Sequence, residues 1–209
     1  MKDPVWHDEI INPAVAHTLK ALHARSLLDG FYLAGGTGLA LQLGHRRSLD
    51  LDFFCREPFN EEQWLQRLQT LPGFSVVSRD RQTLHVHTSG VKVSFLGYAY
   101  PVLFPSASFL DVAVADPRDI ACMKISAITS RGSKRDFVDV FAVAQQEGLK
   151  LMLALFERKF AAANYSAIHV LKSLTYFDDA DGEPMPDMIV PMSWEDIKRF
   201  FRQQVPRLL

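Results

Sequence analysis

Hydrophobic positions recur at three- and four-residue spacing between Pro13 and Leu28, where Val15, Ala16, Leu19, Leu22 and Leu27 predict one buried face of a helix that Gly30 stops. The period then shortens. Phe31-Tyr32-Leu33-Ala34 is an aromatic and aliphatic run broken by Gly35-Gly36, the pattern of a buried strand entering a tight turn. Thr37 reads as the N-cap of a short helix through Leu39, Ala40, Leu41 and Leu43, with Gly44 as its stop. A strand is predicted over Leu49 to Phe54. A helix is predicted over Asn60 to Leu71, with Glu61 and Glu62 in its first turn and Trp64, Leu65 and Leu68 facing inward. Three extended runs follow, Phe74 to Ser78, Leu84 to Thr88 and Val91 to Leu96, and Ser89-Gly90 joins the last two as a hairpin. After a loop rich in Pro and Ser around Pro101 to Ser108 the period is helical: Pro117 to Ser130, Lys134 to Glu147, Leu149 to Ala161 and Ser193 to Gln204. Strands first and helices afterwards predict an α+β chain. Residues 1–115 would form a mixed sheet with flanking helices, and residues 116–209 a helical C-terminal half that completes a cleft.

Length and composition narrow the class. At 209 residues the chain is one domain or two small ones, and 48% hydrophobic with 22% charged residues excludes disorder and collagen-like repeats. The net charge of −1 gives no global drive towards nucleic acid or an anionic membrane. Cys55 and Cys122 make no metal or disulfide spacing, which favours a reducing cytoplasm. Met1 to Ile11 lacks the apolar run of a secretory signal, and no stretch of about 18 apolar residues is present to span a membrane.

The chemistry concentrates between Gly35 and Phe54. On a strand Asp50 and Asp52 point to the same face, while Leu49, Leu51 and Phe53 point to the other. Two carboxylates held side by side are unfavourable unless a cation neutralises them, and Mg²⁺ is a hard, oxygen-seeking cation that does so. Gly35 and Gly36 lack side chains, so a phosphate can approach the backbone N–H groups and the positive end of the helix that Thr37 opens. A phosphate-binding turn followed by a metal-binding carboxylate pair is what nucleotidyl transfer needs, because a triphosphate must be gripped, neutralised and aligned.

Gly36, thirteen intervening residues and Asp50-Leu51-Asp52 resemble the signature of the polymerase-β-like nucleotidyltransferase superfamily. More narrowly, Tyr32 to Phe54, Ala121 to Val140 and Tyr176 to Pro186 are similar to the AbiEii/AbiGii toxin family, the nucleotidyltransferase-like toxins of bacterial toxin–antitoxin and abortive-infection pairs. The resemblance implies a nucleotidyltransferase-like fold, a cytoplasmic Mg²⁺-dependent enzyme that moves a nucleoside monophosphate from NTP to a hydroxyl of RNA or protein, and an antitoxin encoded nearby. It also implies that Lys124 contacts nucleotide phosphate and that Asp136 assists in the site or orients its basic neighbours, with Arg131 and Arg135 adding phosphate contacts. From spacing alone Lys124 and Arg131 share one helix face, and Asp136 and Asp139 share another, which also suits a solvated inter-helix salt-bridge patch. A third carboxylate common in the superfamily is replaced. Ser94 stands where it is expected, and a hydroxyl is neither a full-charge ligand nor a base. The alternative is therefore a catalytically weak nucleotide-binding or protein-interaction module, and what discriminates the two is whether another carboxylate reaches the metal site, with Asp136, Asp139 and Asp111 as candidates.

Three further signals read as ordinary surface. His85 and His87 alternate with Leu84 and Val86 and are expected as solvated histidines, His45-Arg46-Arg47 as an exposed basic turn, and Asp178 to Glu183 as an acidic loop.

Overall fold

The computed structural model describes residues 5–208. Residues 1–4, on which part of the reading of the N-terminus rests, and residue 209 lie outside the described residues. The chain divides into two compact units, Met1–Asp116 and Pro117–Leu209.

The first unit is built on a seven-stranded sheet. Helix α1 (Pro13–His23) is capped by the Asn12 side chain, which accepts from the Val15 N–H. It ends at His23 rather than running to Leu28. A turn with Ser26 at φ 51° carries the chain away, yet Leu27 and Leu28 stay buried. Burial continues the apolar pattern there without the helix. Strand β1 (Tyr32–Leu33), α2 (Gly35–Leu43), β2 (Leu51–Cys55) and α3 (Glu61–Leu68) follow, then β3 (Ser75–Asp80), β4 (Thr83–Thr88) and β5 (Val91–Gly97). Two short strands that no sequence pattern predicts, β6 (Ala107–Phe109) and β7 (Val112–Val114), form a hairpin whose turn holds Leu110 and Asp111 at positive φ.

The strand order is β3-β4-β5-β2-β1-β7-β6. The sheet is mixed, with β2 parallel to β5 and β1 parallel to β7, while the remaining pairs are antiparallel. Alternation divides its two faces. Leu33, Leu51, Phe53, Leu84, Val86, Val93 and Phe95 form the core with Val15, Leu19 and Leu22 of α1. The opposite face carries Tyr32, Asp52, Phe54, Ser94 and His85, brought together by the cross-strand register.

The second unit contains α4 (Pro117–Arg131), α5 (Lys134–Glu147), α6 (Leu149–Lys159), α7 (Ala167–Ser173), α8 (Asp178–Asp181) and α9 (Trp194–Gln204). Gly148 at φ 81° breaks α5 from α6. A cluster of Phe137, Phe177, Trp194 and Phe201 packs α5 and α9 around the short α8, with Phe137 in ring contact with each of the other three. The expected acidic loop is thus a helical turn. Phe177 and Ala180 are buried, so this segment has an apolar side that its string of aspartates concealed. Asp119 and Lys159 form an ion pair of 2.7 Å between α4 and α6, with both side chains 1% exposed. Among the described residues no helix is long and apolar enough to cross a membrane.

Candidate active site

Helix α2 begins three residues earlier than its N-cap signal suggested. Ala34 is the N-cap, Gly35 and Gly36 lie in the first turn, and Thr37 is inside the helix. The first N–H to reach back along the helix is that of Gly38, which donates to the Ala34 carbonyl. The N–H groups of Gly35, Gly36 and Thr37 therefore have no intrahelical acceptor, and no side chain caps them. Buried Thr37 acts elsewhere, since its hydroxyl donates to the Asp50 carbonyl and shares a second hydrogen bond with the Ser48 hydroxyl. It ties the segment before β2 to the helix. Gly35 sits at φ +61°, and a Cβ there would lie 2.6 Å from Asp52 Oδ2. A Cβ on Gly36 would collide with the guanidinium of Arg46 and come within 3.0 Å of Ser48 Oγ. Both glycines are needed for close approach. The first admits the Asp52 carboxylate, and the second admits a buried cation.

Asp50 is exposed and immediately precedes β2, which starts at Leu51 rather than Leu49, and Asp52 is half-buried on that strand. Among the described residues neither carboxylate has an ion-pair or hydrogen-bond partner. Two carboxylates without a partner among the described residues fit a bound divalent cation. Mg²⁺ needs only one or two protein carboxylates, because water and substrate phosphates fill its other positions. Among the described residues no group of three or more His, Cys, Asp and Glu is placed to hold a metal ion.

His45 and Arg46 are 2% and 4% exposed, and only Arg47 of the three is exposed, so the expected surface basic turn is a correction. Gly36 has no side chain, so the Arg46 guanidinium can lie over it and donate to the Arg47 carbonyl. The one signal of this in the sequence is position: an arginine just before the carboxylate strand and ten residues after Gly36. Solvation is the default for a charge, and it outweighs position when only the sequence is read.

The register places Ser94 directly beside Asp52 on β5 and His85 beside Ser94 on β4. Ser94 is 2% exposed, and its hydroxyl is 2.9 Å from His85 Nδ1. His87 is exposed as expected, but His85 is half-buried and bonded. Asp111 is exposed in the β6–β7 turn, at the other end of the sheet order from β5.

In the second unit Lys124 of α4 reaches Asp136 Oδ1 at 2.8 Å and Asp139 Oδ2 at 3.0 Å on α5. Arg131 Nε meets Asp136 Oδ2 at 3.0 Å. The inter-helix network is present but not solvated: Asp136 and Asp139 are 1% and 0% exposed and Lys124 11%, while Arg131 is 62% exposed. Arg135 is exposed on α5.

The first unit thus combines a mixed sheet with a glycine turn backed onto the Asp52 carboxylate. The model of the nucleotidyl transferase AbiEii toxin family, of type IV toxin–antitoxin systems, matches residues 17–74 and 97–207, and the chain belongs to that family. An uncharacterized protein of Aquifex aeolicus (strain VF5) is 35% identical over 197 residues, covering 91% of this chain and 94% of its own. Among solved structures, the nucleotidyltransferase toxin MenT4 of Mycobacterium tuberculosis H37Rv superposes with a TM-score of 0.57 at 15% identity, covering 94% of this chain and 85% of that one. JHP933 of Helicobacter pylori gives 0.50 at 17% identity, covering 98% and 95%. The antibiotic-resistance factor ANT(2'')-Ia gives 0.52 at 14%, covering 71% and 93%. At these identities the solved structures speak for the fold.

Proposed function

We propose that this protein is the toxin of a type IV pair, acting in the cytoplasm by Mg²⁺-dependent transfer of a nucleoside monophosphate from NTP to a hydroxyl of RNA or protein, with its antitoxin encoded nearby. The observation that carries this reading is the Gly35-Gly36 turn backed against Asp52, with Asp50 two residues before it and both carboxylates unpaired among the described residues. Asp50 and Asp52 would hold Mg²⁺, which when bound supplies charge neutralisation at the triphosphate. The N–H groups of Gly35, Gly36 and Thr37 bind phosphate oxygens at the positive end of α2. Lys124 neutralises triphosphate charge, Asp136 orients Lys124 and Arg131, and Arg131 and Arg135 add phosphate contacts. In this reading residues 1–115 form the nucleotidyltransferase-like core and residues 116–209 a helical C-terminal region.

The test is Asp50→Asn, assayed with Mg²⁺, each α-labelled NTP and total bacterial RNA or protein. Loss of one charge at the metal is expected to cost about 3 kcal/mol in the transition state, roughly a hundredfold in rate. The melting temperature should hold or rise, because two adjacent carboxylates no longer repel each other. Labelling that persists in folded Asp50→Asn would remove Asp50 from the site. A wild type that neither labels nor is stabilised by any NTP would leave the non-catalytic module.

A further inference from the structure

Nucleotidyl transfer needs a base for the acceptor hydroxyl, and the position beside Asp52 holds a serine. We propose that His85 is that base and that Ser94 positions it, an assignment that rests on the nucleotidyltransferase reading of the site above. Asp52, Ser94 and His85 occupy one row on three adjacent strands. Strands lie roughly 4.8 Å apart, so about 10 Å separates the backbones of Asp52 and His85. The His85 ring spans part of that interval, because its Nδ1 leans to within 2.9 Å of Ser94 Oγ on the intervening strand. Ser94 is buried and His85 only half-buried. In the tautomer that donates its Nδ1 proton to Ser94, Nε2 keeps a lone pair that can accept the proton of an acceptor hydroxyl.

The neighbouring groups single out this ring. Of Thr83, His85, His87, Lys92, Ser94 and Leu96, which share the face on β4 and β5, only histidine readily takes up a proton near neutral pH. His87 is exposed and pairs in register with Lys92, one step away from the Asp52 row. From β3, Ser78 stands opposite His85 and Asp80 opposite Thr83. The carboxylates of α3 are engaged elsewhere, Glu61 with Gln82 and Glu62 with Arg79.

In the step this assigns, the acceptor oxygen forms a bond to the α-phosphorus of NTP. The bond from that phosphorus to the bridging oxygen breaks, and pyrophosphate leaves with the electron pair. The hydroxyl proton passes to His85 Nε2, and the resulting imidazolium releases it to water.

The experiment compares wild type, His85→Ala and His85→Gln, using α-labelled NTP with total bacterial RNA and with a bacterial protein extract, alongside NTP affinity by calorimetry. Gln keeps a polar partner for Ser94 but takes up no proton. Both variants are expected to lose about a hundredfold or more in kcat with NTP affinity unchanged, and free imidazole should restore part of the His85→Ala rate. Full activity in His85→Gln, a loss of NTP affinity that accounts for the loss of rate, or no recovery with imidazole would overturn the assignment. If wild type labels neither acceptor, the reading of the whole site fails and His85 falls with it. If wild type labels and His85→Ala is within threefold of it, only His85 is displaced.

Discussion

The two units treat paired aspartates in opposite ways. In the first, Asp50 and Asp52 flank a glycine turn and, among the described residues, no cation of the protein's own is paired with them. In the second, Asp136 and Asp139 are buried and already neutralised by Lys124, with Arg131 closing on Asp136. Both clusters follow the same residue chemistry, and partnership separates them. An unpaired pair at an open strand end is a demand for an external cation, whereas a buried pair with its own lysine joins α4 to α5. The network that the family resemblance assigns to phosphate contact is therefore also part of the second unit's internal framework.

The sharpest way to break this comparison is Lys124→Met. It would take the shared lysine from between two carboxylates that are each 1% exposed or less, leaving the exposed Arg131 against Asp136. Breaking a buried pair in this way is expected to lower unfolding free energy by about 3–5 kcal/mol, read by urea denaturation. A loss under about 1 kcal/mol would show that the second cluster is as loosely held as the first.

Gly35→Ala should cost less in stability and more selectively in function. The backbone at φ +61° disfavours a side chain, and the new Cβ would displace the Asp52 carboxylate. Roughly 1–3 kcal/mol of stability is expected to go, with NTP-dependent stabilisation lost as well. Retained NTP stabilisation would separate the turn from the carboxylates.

The cysteines compare burial in the two units. Burial pushes the Cys122 thiol up to about 12, with Lys159 opposing and Asp119 adding to the shift, and pushes the Cys55 thiol up to about 11 with help from Glu57. A raised folded value means that the stability is full below the unfolded thiol's value of 9.0 and is lost as pH climbs towards the folded values. Denaturation from pH 9 to 11 should therefore reveal a loss approaching 1.4 kcal/mol per pH unit for each thiol. Cys122→Ala should remove its share of that slope, and the share of Cys55 should fade first.

Much of this is legible in order along the chain. Helical periodicity locates α4, α5, α6 and α9 within a few residues, and glycine spacing with the Asp50-Leu51-Asp52 alternation locates the turn and the carboxylates. What escapes depends on contacts across the sequence. The strands β6 and β7 are three residues each, too short to show a period, and are defined by pairing with each other and with β1. Helix α7 has one buried residue, Val170, and so no apolar stripe to announce it. The burial of Arg46 requires knowing that a glycine lies beneath it, and the His85–Ser94 bond requires the register of β4 on β5. Thr37 has the chemistry of a cap but stands too far in, because Gly35 at positive φ starts the helix before it.

Helix α2 has a consequence for affinity. Six consecutive residues, Gly36 to Leu41, are buried, so this nine-residue helix has almost no face left to water. Such a segment cannot swing aside or order itself around a guest. Its leading N–H groups are fixed when the chain folds, and the roughly 1–2 kcal/mol per residue needed to immobilise a backbone is not charged again when an anion arrives. Preorganisation of this kind should appear as rapid, shallowly temperature-dependent phosphate recognition, with conformational adjustment left to the exposed segment that carries Asp50.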